Sequence, residues 1–200
     1  SVLTAVGGVS TDTLAEDTDL TMAVNRAGFW VVYEERAIAW TEAPSTLAAL
    51  WRQRYRWCYG TLQAVWKHRG AVSDQGHGRR LGRVGLPYLL AFQVALPLLA
   101  PVIDIFALYG LVFLNPWHVA AFWLAFVGLQ LVAAAYALRL DRESLRPLWT
   151  LPLQQLVYRQ LMYLVVIQSL VTAASGVRLG WHKLERTGGA AESMPAHAGV

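Results

Sequence analysis

Two groups of residues have the types and spacing to do chemistry. The first is Glu16-Asp17, an acidic pair at the expected start of a helix. Group transfer to a hydroxyl needs a base that takes the proton as the hydroxyl attacks the electrophilic carbon. A positioned carboxylate suits that task, and such a base contributes about 10²–10⁴-fold. Asp17 is the candidate base. A helix whose first turn merely prefers acids would look the same. The neighbouring Asp17-Thr18-Asp19 has a D-x-D spacing associated with metal–nucleotide sites. On a helix, residues i and i+2 do not face each other, so no metal is assigned there.

The second group is Gln53-Arg54-Tyr55-Arg56-Trp57. Gln53, Arg56 and Trp57 stand at i, i+3 and i+4 and share one helical face. Arg56 offers a planar fork to a diphosphate and stabilises leaving-group charge. Trp57 offers a platform to the apolar face of a pyranose, and Gln53 a hydrogen bond to a hydroxyl or phosphate. A membrane-interface helix with basic and aromatic residues would also produce this stretch.

The elements that must position these groups follow from pattern. Residues 1–12 read as a strand end and a loop broken at Gly7-Gly8. Thr13 and Glu16 fit a capping box, which starts a helix running to about Ala27, with Gly28 as its stop. This gives Glu16 a structural task. FWVVY (29–33) and AIAW (37–40) read as strands, as in the closing section of an α/β domain. Pro44-Ser45-Thr46 opens a second helix that continues to about His68. Its apolar stripe is Trp51, Tyr55, Cys58, Leu62 and Trp66, with Arg52, Arg54, Arg56 and Lys67 as cations. Such a helix suits the membrane–water boundary, although docking on its own domain would also account for it. Residues 70–83 form a Gly-rich basic loop.

Beyond that loop the composition changes. The chain is 56% hydrophobic and 15% charged, against about 45–50% and about 25% in soluble domains. Apolar runs at 84–113, 117–138 and 148–175 are long enough to cross a bilayer, which takes about 20 residues. Pro97 and Pro101 are expected to kink the first. Asp104 and the glutamines within these runs must face protein, water or the interface; a path for a growing polymer and bonds between helices are both open. The positive-inside rule puts 67–83 and Arg139, Arg142 and Arg146 in the cytoplasm, with Asn115-Pro116 outside. The third run, with Arg159 and four glutamines, either crosses or stays at the interface. Its apolar stretch from Leu161 to Ala174 favours crossing. The tail 177–200 is polar and expected to be disordered.

The basic residues carry no nucleic-acid-binding motif, and Cys58, the single cysteine, excludes an internal disulfide and a cysteine metal site. The first residue is Ser1 and no signal peptide follows; the chain reads as a fragment with machinery expected upstream.

Taken in order, Gly7-Gly8, Ala15-Glu16-Asp17 and Gln53-Arg54-Tyr55-Arg56-Trp57, followed at once by apolar runs, resemble the processive family 2 glycosyltransferases. These include cellulose, chitin, hyaluronan and poly-N-acetylglucosamine synthases. Residues 10–57 look most like the bacterial poly-β-1,6-N-acetylglucosamine synthase branch, and the tail GWHKLERTG is similar to those enzymes as well. The resemblance implies that Asp17 is the catalytic base. It places Arg56 on the donor diphosphate, Trp57 at the acceptor sugar, and Gln53 and Glu16 among the substrate contacts. It implies an α/β plus membrane α-helical fold: the C-terminal part of a GT-A domain with its interface helix (1–69), the basic loop (70–83), and two or three transmembrane helices (84–176).

The implied partners are a UDP-sugar, a polysaccharide acceptor and the plasma-membrane bilayer, with the catalytic part cytoplasmic and the product exported. A divalent cation, Mg or Mn, would be bound upstream, together with the uridine site, so this piece alone should lack turnover. Ala15 stands where the family's acidic motif usually has Thr, which removes a hydroxyl and keeps the base. A non-processive enzyme acting on a lipid acceptor is an alternative. A non-catalytic membrane scaffold or transporter subunit would explain the spans but not the two motifs in family order.

Overall fold

The computed structural model describes residues 1–34, 36–39 and 41–176. The expectations for Trp40 and for the tail, GWHKLERTG included, fall outside these residues. Two compact units divide the described residues: Ser1–Ala91 with 168–176, and Phe92–Ile167.

The first unit begins with a short helix, α1 (Val2–Ala5), capped by the Ser1 side chain. It ends at Gly7 and Gly8, whose φ values of 82° and 80° suit glycine alone without strain. The expected strand end is therefore a helical turn. Helix α2 (Glu16–Arg26) follows. Gly28, at φ 91°, stops it. The Gly28 and Phe29 amides donate to the carbonyls of Asn25 (3.1 Å) and Val24 (3.2 Å), the double closure of a Schellman motif.

The expected capping box does not form. The N-cap is Ala15, which has no side-chain oxygen to offer, and Thr13 is buried two residues ahead of it. Within the first turn the Thr18 amide is taken by the Asp17 carboxylate at 2.7 Å, and ahead of the helix the Leu14 amide donates to Gln63 Oε1 at 3.0 Å.

The expected strands are absent too; among the described residues there is no strand. Residues 29–34 are unpaired, with Trp30, Val32 and Tyr33 exposed. Extended backbone becomes a strand only when a partner takes up its N–H and C=O groups.

Helix α3 (Leu47–Lys67) starts where the sequence places it, with Thr46 Oγ1 accepting the Ala49 amide at 3.1 Å. Its predicted apolar stripe faces residues 168–174. Trp51 Nε1 donates to Gln168 Oε1 (2.9 Å) and the Tyr55 hydroxyl to Thr172 Oγ1 (2.8 Å). Trp66, at the end of the stripe, is exposed. The side chains buried most fully on α3 are instead Tyr59, Ala64 and Val65. Ala64 and Val65 join Met22, Ala71 and Leu86 in a small core.

The basic loop is partly folded. A 3-10 turn, Arg69–Ser73, leads to Asp74, which accepts both Nε (3.0 Å) and Nη2 (3.3 Å) of Arg26. A Cβ on Gly82 would sit 2.0 Å from the Ala71 carbonyl oxygen, so only glycine allows that approach.

Three continuous helical segments are long and apolar enough to cross a membrane: Leu81–Phe113, Pro116–Leu140 and Arg146–Ala174. Their limits lie within a few residues of the expected ones. The first contains α4 (Leu86–Leu90) and α5 (Leu96–Phe113), each preceded by a π-helical turn, Leu81–Gly85 and Ala91–Ala95. Each turn lies just ahead of a proline, Pro87 or Pro97, where the ring cannot accept regular α-helical bonding four residues back. Pro101, by contrast, lies within regular α5.

The second is α6 (Pro116–Leu140), capped by Asn115. The third combines a 3-10 turn (Arg146–Thr150), α7 (Leu151–Leu153), a π turn (Gln154–Tyr158) and α8 (Arg159–Ala174). Side chains such as Trp117, Phe122 and Leu129 on α6 are exposed, which fits hydrocarbon around them rather than water.

Within the second unit the polar groups bond between helices. Arg159 Nη2 donates to Asp104, and Gln155 Nε2 to Gln130. Of the two roles open for these residues, this is the interhelical one.

Candidate functional site

Helix α3 carries the frame of the site. At about 100° per residue, Gln53, Arg56, Trp57, Gly60, Gln63 and Lys67 fall within about 120° of one face. Trp57 is 46% exposed, and the Arg54 guanidinium carbon lies 4.7 Å from its ring centroid. That cation–π contact steadies the ring without covering it. Arg56 is half-buried and takes part in none of the ion pairs among the described residues. A guanidinium outside these ion pairs and an open aromatic ring on one helical face suit a phosphorylated sugar.

The same face, one turn further on, receives the acidic segment. A Cβ on Gly60 would lie 2.5 Å from the Ala15 nitrogen and 2.9 Å from the Leu14 carbonyl carbon. The backbone ahead of Glu16-Asp17 thus rests directly on the helix. Gly60 stands four residues, or about 6 Å of helix rise, beyond Arg56. Gln63 fixes the Leu14 amide one turn later. The tertiary structure therefore seats the backbone just ahead of Glu16-Asp17 on the helix that carries Gln53, Arg56 and Trp57.

Glu16 and Asp17 are both exposed at the N-terminus of α2, where the helix dipole favours a carboxylate. Asp17 Oδ1 accepts the Thr18 amide at 2.7 Å. Asp19 goes the other way and is 2% exposed. Its Oδ1 lies 2.7 Å from His68 Nε2, and its Oδ2 accepts from Lys67 Nζ at 2.8 Å. Burial would raise the Asp19 carboxyl, but hydrogen bonds from Lys67 and His68, with their charges, hold it below its usual 3.8. Its hydrogen bond to Asp19 pushes Lys67 above 10.5, against desolvation and with help from Asp12. The halves of the D-x-D sequence thus diverge. No three His, Cys, Asp or Glu side chains gather to hold a metal among the described residues, so no step is drawn through a divalent cation.

Sequence reasoning missed Gly60, Gln63, Lys67, His68 and Asp19. One signal was present: glycine inside a 21-residue helix costs about 1 kcal/mol against alanine, so its presence there points to a close backbone approach.

Residues 1–174 match the model of glycosyl transferase family group 2, and the chain belongs to that family. It is 39% identical over 67 residues to the probable glycosyltransferase YdaM of Bacillus subtilis (strain 168), covering 34% of this chain and 16% of that protein. It is 37% identical over 60 residues to poly-beta-1,6-N-acetyl-D-glucosamine synthases of Staphylococcus aureus (strain COL) and Staphylococcus epidermidis (strain RP62A), covering 30% of this chain and 15% of each. The chain thus spans about one sixth of these relatives' length. No solved structure matches it.

Proposed function

We propose that the chain forms the acceptor-side part of a membrane-bound inverting transferase. The enzyme moves a sugar from a UDP-sugar to a growing β-linked polysaccharide. The relatives named as poly-beta-1,6-N-acetyl-D-glucosamine synthases point to N-acetylglucosamine. One observation carries the reading: Leu14 and Ala15 rest on Gly60, which seats the backbone ahead of the Asp17 carboxylate on the helix that carries Arg56 and Trp57 and supports reading them as one site.

The residues divide the chemistry as follows. The acceptor hydroxyl attacks the anomeric carbon while Asp17 takes its proton. The bond from that carbon to the diphosphate oxygen breaks, and Arg56 neutralises the charge that develops on the leaving group. Trp57 supports the acceptor ring, Gln53 hydrogen-bonds a sugar hydroxyl or a phosphate oxygen, and the Glu16 carboxylate accepts from a sugar hydroxyl. The three apolar helical segments hold this site at the cytoplasmic face of the plasma membrane and lead the product out.

The test uses the full-length enzyme in membranes. Asp17→Asn abolishes sugar incorporation by at least about 10²-fold while nucleoside-diphosphate inhibition persists. Arg56→Lys, which keeps the charge and loses the fork, weakens that inhibition and slows turnover. Near wild-type incorporation by folded Asp17→Asn excludes this assignment.

A further inference from the structure

Asp17 lies between two points of attachment, and both are on the helix that carries Arg56. Ahead of it, Ala15 is pressed on Gly60 and Leu14 is tied to Gln63. Behind it, Asp19 is buried against His68 and Lys67. Lys67 Nζ also donates to Ser10 Oγ (2.9 Å) and Asp12 Oδ2 (3.3 Å), so it draws in the approach to the motif as well. The Asp19 amide donates to the Ala15 carbonyl at 3.0 Å, which makes residues 15–19 a single closed helical turn. A rigid turn held at both ends has little freedom to rotate. The direction of the exposed Asp17 side chain is therefore set by α3, not by α2 alone.

A stability role by itself does not require this arrangement. A buried ion pair is often no better than an apolar contact of the same size. What a charged, hydrogen-bonded contact adds is a defined geometry. Among the described residues His68 Nδ1 is buried with no hydrogen-bond partner, a cost accepted while Nε2 faces Asp19. We propose that Asp19, gripped by His68 and Lys67, is a positioning residue: it fixes the turn that aims the Asp17 carboxylate at the acceptor hydroxyl beside Arg56 and Trp57. This rests on the transferase reading above and extends it to residues that do not touch substrate.

Displacing a base by about 1 Å costs on the order of 10²-fold in rate without weakening substrate binding. The experiment measures kcat per folded enzyme, KM for the donor and inhibition by a nucleoside diphosphate. It is done on the full-length protein in membranes, with the folded fraction taken from protease resistance. Asp19→Asn is expected to lower kcat by about 10–100-fold with KM and inhibition unchanged. Lys67 is partly exposed, so Lys67→Ala keeps the fold; it is expected to lower kcat about tenfold, and Lys67→Arg to restore it. If Asp19→Asn does not fold, the Lys67 pair decides the matter. An inactive Asp17→Asn beside full-rate Asp19→Asn and Lys67→Ala removes the positioning role alone. An active Asp17→Asn removes the transferase reading and this inference with it. Loss of activity only in proportion to loss of folded protein, or no restoration by arginine, also overturns the positioning role.

Discussion

Asp19 Oδ1 lies 2.7 Å from His68 Nε2, and this contact joins the helix behind the acidic motif to the end of the helix that carries Arg56. It closes a frame whose other corner is Ala15 on Gly60. The frame has consequences for stability and for single substitutions.

The first consequence is a pH window. The Asp19 carboxyl is lowered, so its contribution is present above 3.8 and is lost as pH falls through its folded value. The Lys67 ammonium is raised, so its contribution is full below 10.5 and is lost as pH rises through its folded value. The difference in melting temperature between wild type and Lys67→Met is therefore expected to be flat from about pH 5 to about pH 9 and to shrink at both extremes. A difference that changes steadily across the neutral range would contradict this pairing.

Gly60→Ala sets two effects against each other. Alanine favours the helix by about 1 kcal/mol. Its Cβ, however, would lie 2.5 Å from the Ala15 nitrogen, and forcing a packed contact apart costs about 1–3 kcal/mol. The expected outcome is net destabilisation together with reduced turnover. The control is Gly128→Ala on α6, where a Cβ meets nothing within 4 Å; it is expected to be neutral or slightly stabilising. Thermal unfolding and sugar incorporation of both variants, measured side by side, check the prediction.

The Asp104–Arg159 pair joins two helices of the second unit. Removing one partner leaves an uncompensated charge within an apolar segment and is expected to cost several kcal/mol. Arg159→Leu alone should therefore lower the yield of folded protein in membranes, and adding Asp104→Leu should recover most of it. If the double variant is as poor as the single, the pair does more than neutralise charge.

The proposed three-crossing topology would place the turn at Leu114 outside and Ser144 inside. After replacement of Cys58 with Ser, a cysteine at position 114 is expected to react with an impermeant thiol reagent in intact cells. A cysteine at position 144 should react only once the membrane is broken. One at position 176 should react in intact cells; protection there would mean that the segment Arg146–Ala174 does not cross.

Much was legible in the sequence because it depends on local chemistry. Thr46 caps its own helix and Gly28 closes its own Schellman motif, since each acts on backbone within a few residues. The three apolar segments followed from composition over about 20 residues, which solvent transfer decides without reference to neighbours. The order of the acidic pair and the Gln53–Trp57 stretch was likewise enough to suggest the family.

Tertiary structure decided the rest, because it depended on groups far apart in the chain. Thr13 and Glu16 have the spacing of a capping box, yet the helix takes Ala15 as its N-cap, and the segment ahead of it is tied through the Leu14 amide to Gln63, 49 residues on. Residues 29–33 have strand composition, yet no partner pairs with them among the described residues, and a strand is a property of a pair. Asp17 and Asp19 differ by two positions and one is exposed while the other is buried. No pattern within α2 separates them; the separation comes from His68 and Lys67, brought alongside by the packing of α2 on α3.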